Sequence, residues 1–354
     1  MKVLLNGATG GSNFGDFLFA KIFQDSVVKL VGHDNVFWYE SRYNMSDFFR
    51  RHLKYNNKYK LKDIDALICI SGGYFCGDDH TLKDYIIRYL SYFRLCIKCI
   101  RRKIPIAIIG VEVGKPKSKV MEIIQRYILK RASLLIVRNN ESLVQLKEYG
   151  ITNGICTTDT AHVLKSNFKI NIDTKSLTNK KVFLHVQLSN INATERIIPV
   201  FNKFLKNHPE YSVIIGTDQY TKNKDALNEI SKKIACSKVS IYHYDNPMDL
   251  CKLLLEVDFI ITPKLHVGIM GATFSKSVVS FSIHSEKIQR FYHQLKEEDR
   301  TLSMENFDEK KALEMMESFH NLPMNVPEVI FDLANKNLQS LELFLKNLND
   351  GAII

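Results

Sequence analysis

The 354-residue sequence predicts an α/β protein with two domains, each built on a parallel sheet covered by helices. Three observations support this fold class. Short apolar segments alternate with helical segments from residue 3 to 165, a polar stretch follows, and the alternation resumes at residue 181. Such alternation is typical of parallel, doubly wound sheets.

These boundaries divide the chain into four parts. They are an N-terminal Rossmann-like domain over 1–165, a linker over 166–180, a C-terminal Rossmann-like domain over 181–325, and a closing helix and tail over 326–354. The linker is assigned by its content of charged residues, Asn, Ser and Thr. Two such domains facing across a cleft, tied by a C-terminal helix, describe a GT-B-like architecture.

In the first domain, most predicted strands end in glycines or charged residues. The predicted elements are strands over 2–6, 36–39, 65–70, 104–110 and 134–137, and helices over 16–23, 82–100 and 120–130. Glycine-rich loops follow the first and third strands, and such loops let a backbone approach a ligand closely. The first loop is neither a Walker A loop nor GxGxxG, so a plain strand-to-helix turn and a binding loop both stay open.

The second domain repeats the pattern and ends in a cluster of basic residues. The predicted elements are strands over 181–186, 212–216, 239–242, 259–261 and 277–283, and helices over 194–207, 224–235, 248–256, 266–274, 287–295 and 333–349. Lys264 and His266 follow one strand, and His284 and Lys287 follow the next. Helix N-termini at strand ends bind anions, so these residues predict an anion pocket. The competing interpretation is an ordinary βαβα segment of a parallel sheet, with Lys and His side chains exposed to solvent at its rim.

The net charge and the hydrophobic content of the sequence indicate which classes of partner and which compartment suit the protein. The net charge is +11, which suits a polyanion, an acidic small substrate or an anionic membrane surface. No apolar run reaches the length of about 18 residues that a membrane span needs, and the start of the chain lacks a signal-peptide pattern. The seven cysteines are scattered. We therefore expect a cytoplasmic protein.

Seven strand-end motifs occur in a defined order. They are Asn13-Phe14-Gly15-Asp16, Ser71-Gly72-Gly73, Gly110 with Gly114, Arg138 with Glu141-Ser142, Asp159, Lys264-Leu265-His266, and Lys287. This order resembles that of the polysaccharide pyruvyl transferase family over about residues 3 to 295. Three positions depart from the family pattern. Tyr74 replaces a glycine, Thr160 replaces a proline, and Lys264 replaces an arginine, which removes a planar two-pronged grip on an anion.

The resemblance implies an enzyme of envelope polysaccharide biosynthesis. The family transfers pyruvyl from phosphoenolpyruvate to two hydroxyls of one sugar, which forms a cyclic ketal and releases phosphate. The acceptor would be a glycan unit, lipid-linked during assembly. Phosphoenolpyruvate carries about three negative charges. By resemblance, the donor would be bound by Arg138, Lys264, His266 and Lys287.

The chemistry needs a proton donor and a base, and it needs no metal or cofactor. His266 is the candidate acid, and the candidate bases are Asp16, Asp78 and Glu112. On the acceptor side, the backbone loops would contribute Asn13, Gly15, Gly72 and Gly73. The N-terminal domain would hold the acceptor and the C-terminal domain the donor. A basic face over 50–60 could rest peripherally on the anionic inner membrane.

Two other functions compete. A GT-B glycosyltransferase using a nucleotide-sugar would need the same helix N-termini and cations, but an acidic residue placed for a ribose is not obvious, although Glu286 is near. A nucleic-acid binder is supported only by the charge, because no aromatic-interleaved basic cluster is present. We expect no nucleic-acid partner.

Overall fold

The computed structural model describes residues 1–53, 55–77, 81–168, 180–221, 225–283 and 285–351. The chain forms two compact units. The first comprises Met1–Ser12, Asp16–Val163 and Val329–Ile354, and the second comprises Asn13–Gly15 and Leu164–Glu328. Residues 169–179 of the expected linker lie outside the described residues.

The first unit is built on a parallel sheet. Its strands are β1 (Val3–Asn6), β2 (Val36–Trp38), β3 (Ala66–Cys69), β4 (Gly72–Phe75), β5 (Ile106–Val113), β6 (Leu134–Val137) and β7 (Ile155–Cys156). The order is β2-β1-β3-β5-β6-β7, with β4 paired to the second half of β5. Strands β1, β3 and β5 are buried along their whole length, as expected for central parallel strands that are covered on both faces.

Helices cover this sheet. They are α1 (Phe14–Val31), α2 (Asp47–His52), α3 (Leu82–Arg88), α4 (Arg94–Arg101), α5 (Lys119–Leu129) and α6 (Asn140–Glu148). Side chains cap several of their first turns: Ser118 accepts from Met121 N and Asn139 accepts from Ser142 N. A π-helical stretch, Tyr89–Phe93, joins α3 to α4 where one helix was predicted over 82–100.

The second unit has a six-stranded parallel sheet among the residues described. Its strands are β8 (Lys180–His185), β9 (Tyr211–Gly216), β10 (Val239–Tyr242), β11 (Phe259–Thr262), β12 (Ser277–Ser282) and β13 (Thr301–Ser303). They run in the order β10-β9-β8-β11-β12-β13. Counted within the unit this order is 3-2-1-4-5-6, the arrangement of dinucleotide-binding sheets, in which ligands bind where the order reverses. Here the reversal lies between β8 and β11.

The helices of the second unit are α7 (Ile191–Asn207), α8 (Asp225–Lys232), α9 (Pro247–Glu256), α10 (Leu265–Thr273), α11 (Ser285–Leu295) and α12 (Glu309–Phe319). The core lies between the sheet and helices such as α7, whose Ile197, Phe201 and Phe204 are buried. No helix among the described residues is both long and apolar enough to cross a membrane.

The C-terminal helix α13 (Glu328–Asn349) belongs almost entirely to the first unit. Its buried Asn337 donates to Thr160 Oγ1 over 3.0 Å and to the Thr158 carbonyl over 3.2 Å, and it accepts from Thr157 Oγ1 over 2.8 Å. These bonds fix the helix to the chain segment that follows β7. Thr160 is the residue found where the family pattern has proline, and its hydroxyl takes part in this network.

The predicted fold class, two parallel-sheet α/β domains with a C-terminal helix, is confirmed. Some elements were not predicted. Gly72 and Gly73 were assigned to a loop, but they begin strand β4, because Gly72 and Phe75 pair with the end of β5. The short helix α2, the edge strand β13 and helix α12 were also missed.

Candidate functional site

Helix α10 starts at the point where the strand order of the second sheet reverses. Lys264 is its N-cap residue and His266 lies in its first turn, both partly exposed. The helix can lie directly on the sheet because it is built from small residues. A Cβ atom added at Gly271 would come within 2.7 Å of Ile260 and 2.8 Å of Val278. The N–H groups of its first turn therefore lie at the carboxyl edge of the sheet.

The short segment Asn13–Gly15 is grouped with the second unit, and it approaches His266 closely. A Cβ atom at Gly15 would lie 2.0 Å from His266 Nδ1, far inside van der Waals contact. Only glycine fits there with the ring in this position. The structure thus brings together the predicted Gly15 and His266, and it gives a steric reason for glycine in the Asn-x-Gly-Asp motif.

Two buried residues that the sequence analysis did not select support the turn before α10. His185, the last residue of β8, places Nδ1 2.8 Å from Thr262 Oγ1 at the end of β11. Its Nε2 lies 3.3 Å from Oδ1 of Asp218, which follows β9. Thr262 Oγ1 accepts from the Lys264 N–H over 3.0 Å. Their positions after the ends of adjacent parallel strands were the available sequence signal.

The charges around this turn act on Asp218. Burial alone would raise its pKa, but the hydrogen bond and charge of His185, together with the charge of Lys264, lower the pKa of the Asp218 carboxyl. The carboxylate is therefore ionised at neutral pH. Lys287 lies in the first turn of α11, after β12, and is partly buried.

In the first unit, the strand-end residues form a buried charge cluster. Arg138 donates through Nη2 to Glu112 Oε2, and its Nη1 lies 3.2 Å from Asp159 Oδ2. All three side chains are at most 8% exposed. Burial opposes the charge, but the two carboxylates raise the pKa of the guanidinium. The structure therefore joins the predicted donor ligand Arg138 to the predicted base Glu112, and the positive charge of Arg138 is already offset.

This cluster has a consequence for mutagenesis. Breaking a buried ion pair by removing one partner leaves an uncompensated charge, which costs about 3–5 kcal/mol. Removing Arg138 would take away the cation that pairs with both Glu112 and Asp159. Lost activity in such a variant would report unfolding as well as weakened donor binding.

Glycines and a tyrosine shape the same edge of the first sheet. Gly110 has φ +67°, and a Cβ there would lie 2.2 Å from Ser71 Oγ and 2.7 Å from Thr160 Oγ1. Tyr74, which replaces a family glycine, is buried and stacks on Tyr92 at 4.5 Å between ring centroids. The substitution is therefore absorbed by packing inside the first unit.

Of the other two predicted bases, the structure describes Asp16 but not Asp78. Asp16 lies in the first turn of α1, partly exposed, where a carboxylate also interacts favourably with the helix N-terminus. Asp78 lies outside the described residues.

A group that could hold a metal occurs elsewhere. Among the residues that the structure describes, His208, Glu317 and His320 bring ligand atoms within 4.8 Å of one another. They lie at the amino edge of the second sheet, opposite to α10. The His208 ring packs on Phe204 at 4.5 Å and on His320 at 4.2 Å, so the histidines belong to an aromatic cluster.

Comparison with protein families identifies one match. The model of the family described as polysaccharide pyruvyl transferase matches residues 13–285. This range begins with Asn13, includes His266 and ends at the start of α11. Among curated proteins, no match was found.

Solved structures resemble the whole chain in fold. UDP-GlcNAc 2-epimerase from Neisseria meningitidis, bound to UDP-GlcNAc, is 13% identical with a TM-score of 0.61 and covers 96% of this chain and 99% of its own. The Methanocaldococcus jannaschii enzyme of the same name is 11% identical with a TM-score of 0.60 (97% and 100% covered). MurG from Acinetobacter baumannii is 11% identical with a TM-score of 0.54 (98% and 99% covered). At these identities, the likeness shows a shared GT-B-like fold.

Replacing Gly15 by alanine tests the close approach to His266. Alanine in a helical first turn is normally neutral or stabilising by up to about 1 kcal/mol. Here the added methyl group must displace the imidazole, so we expect Gly15→Ala to lower the free energy of unfolding by about 1–3 kcal/mol. Chemical denaturation measures this change.

Gly268→Ala is the matched control, because a Cβ at Gly268 meets its nearest atoms only at 3.5 Å or more. It should leave stability unchanged or slightly raised. Equal stability of both variants would contradict the close packing of Gly15 on His266.

Proposed function

Because the chain belongs to the polysaccharide pyruvyl transferase family, we propose that it transfers the pyruvyl group of phosphoenolpyruvate to two hydroxyls of one sugar in a glycan. The product is a cyclic ketal, and phosphate is released. The acceptor is a glycan unit, lipid-linked during envelope polysaccharide assembly.

One observation carries the proposal beyond family membership. Gly15 and His266 are 251 positions apart in sequence, yet they meet so closely that Gly15 has no room for a side chain. The imidazole therefore packs against Gly15 in the first turn of α10, two residues after the N-cap residue Lys264. This arrangement suits an anionic donor that must receive a proton.

The donor would be held mainly by the second unit. Helix N-terminal N–H groups and lysines bind phosphate and carboxylate through charge-assisted hydrogen bonds. Lys264 and Lys287, at the starts of α10 and α11, supply the positive side chains, and His266 supplies an imidazole. Arg138 stays a proposed donor ligand by family resemblance, but its charge is shared with Glu112 and Asp159.

The reaction then follows from proton placement. His266 in its charged form donates a proton to the methylene carbon of phosphoenolpyruvate, which leaves an oxocarbenium-like carbon. One sugar hydroxyl adds to this carbon and gives up its proton to a base. The bond to the phosphate oxygen breaks, phosphate leaves, and the second hydroxyl adds and loses its proton to close the ketal. Each step needs only acid–base groups and charge stabilisation.

The base is still open among the predicted carboxylates. Glu112 is bonded to Arg138 and buried, so accepting a proton would cost it that ion pair. Asp16 is partly exposed at the start of α1 and is the better candidate of the two. Asp78 keeps its predicted role without a structural description.

Membrane contact would be peripheral. In the basic face, Arg50 is paired with Glu40 and lies 2.9 Å from Asp47, which offsets its charge. Attraction to anionic lipid would therefore depend on Arg51 and on Lys58 and Lys60, with a contribution of about 1 kcal/mol for each basic residue near the surface.

A GT-B glycosyltransferase is the second candidate, and two observations favour it. The second sheet has the strand order of dinucleotide-binding domains, and UDP-GlcNAc is the ligand in two of the similar structures. A nucleotide-sugar pyrophosphate would use the same helix N-termini as the phosphoenolpyruvate phosphate.

Calorimetric titration separates the two donors. We expect phosphoenolpyruvate to bind without added divalent metal, and to bind more weakly as salt rises, because exposed charges are screened. Uridine diphosphate should bind more weakly under the same conditions. Tighter binding of the nucleotide, with no heat from phosphoenolpyruvate, would favour the glycosyltransferase.

His266→Asn tests the proton donor. Asparagine keeps some hydrogen bonding but cannot titrate, so turnover should fall by roughly a hundredfold or more, the usual scale for a positioned acid. Donor affinity should fall much less. Steady-state kinetics at saturating donor, with calorimetry, measure both quantities.

His293→Asn is the control. His293 is an exposed residue on α11 whose imidazole lies 2.5 Å from Glu298, and its loss should leave turnover unchanged. Near-normal turnover of His266→Asn would assign His266 to binding or structure, and the acid would then have to be sought elsewhere.

A further inference from the structure

A chain of buried polar groups, joined by one ion-pair contact and two hydrogen bonds, leads to the turn that carries Lys264 and His266. It contains Asp218, His185 and Thr262, which follow or end the adjacent strands β9, β8 and β11. Their side chains are almost fully enclosed, and the His185 side chain has no exposed surface. Burying an ionised carboxylate and an imidazole costs folding free energy even when the two are paired. The presence of this pair at the sheet edge therefore calls for a physical explanation.

The distances favour one placement of the protons. The Asp218 carboxylate is 3.3 Å from His185 Nε2, an ion-pair contact without the alignment of a hydrogen bond, and its negative charge favours a proton on that nitrogen. His185 Nδ1 is then an acceptor for Thr262 Oγ1, 2.8 Å away. The hydroxyl oxygen in turn accepts from the Lys264 backbone N–H at 3.0 Å. The other acceptor for the hydroxyl proton, the Lys264 carbonyl, is more distant at 3.4 Å.

We propose that Asp218 and His185 are positioning residues that act through Thr262 to fix the Lys264–His266 turn in the geometry needed for donor binding and proton transfer. This inference rests on the proposed function for its kinetic consequence. Lys264 is the N-cap residue of α10, and its side chain makes no cap hydrogen bond. Its backbone N–H donates to the Thr262 hydroxyl oxygen, and this bond anchors the turn.

Proton transfer requires the imidazole to be placed accurately relative to the donor. A displacement of about 1 Å caused by a change away from the reacting atoms can cost about a hundredfold in rate. The His266 ring cannot move toward Gly15, because it already fills the space there. If the turn were released from Thr262, the imidazole could shift only away from Gly15, and its position relative to the donor would change.

Thr262→Val tests the chain, because valine keeps the β-branched shape and removes only the hydroxyl. We expect kcat/KM for phosphoenolpyruvate to fall by about a hundredfold. Backbone amides over 264–269 should also exchange hydrogen faster, as measured by mass spectrometry. Thr262→Ser restores the hydroxyl and should return both readouts close to the wild-type values.

Thr273→Val is the matched control. Thr273 is a buried threonine at the other end of α10, and its Oγ1 bonds to the Ile269 carbonyl over 2.7 Å. This variant loses a buried hydroxyl of the same helix, and its activity should be near that of the wild type. Asp218→Asn is a second test, since its amide can donate to Nε2 and so favour the other imidazole tautomer; it should lower kcat/KM in the direction of Thr262→Val.

The outcomes are distinct. If Thr262→Val lowers kcat/KM no more than Thr273→Val, or if Thr262→Ser is as poor as Thr262→Val, the positioning role is wrong. If the wild-type protein neither binds nor consumes phosphoenolpyruvate, the proposed function fails, and amide exchange alone decides the inference. Unchanged amide exchange over 264–269 in Thr262→Val would then overturn it.

Discussion

We propose that the donor site of the second unit depends on the bond between the Thr262 hydroxyl and the Lys264 backbone at the start of α10. Parallel strands bring their carboxyl ends to one edge, and the reversal of strand order between β8 and β11 leaves that edge open to a ligand. In this proposal, the bond holds the turn that carries His266 at that edge. The His266 ring in turn leaves no room for a side chain at position 15.

The first unit meets a different constraint at its own strand ends. There Arg138, Glu112 and Asp159 form a buried cluster with more negative than positive formal charge. Because Arg138 is paired with both carboxylates, the cluster contributes to the stability of this sheet edge more directly than to binding an anionic donor. The C-terminal helix adds to the same edge through Asn337, whose amide bonds to the segment that follows β7.

The sequence was sufficient for the fold class and for the main strand-end motifs, because alternating strand and helix signals and glycine clusters are local features. It was not sufficient for partnerships that depend on strand order. Arg138 meets Glu112 because β5 and β6 are adjacent, and it meets Asp159 because β6 and β7 are adjacent. His185 meets Thr262 because β8 and β11 are adjacent. The glycines of β4 were assigned to a loop because glycine is usually unfavourable in strands.

In the proposed reaction, an imidazole positioned at the start of α10 protonates phosphoenolpyruvate during transfer to a sugar. The most direct measurement incubates the protein with phosphoenolpyruvate and candidate glycans in deuterated water, and follows phosphate release and product mass. We predict that phosphate release requires the glycan and that the product gains a pyruvyl ketal whose methyl group carries solvent deuterium. A glycan that gains no pyruvyl group, or a product formed only from a nucleotide-sugar, would contradict the account.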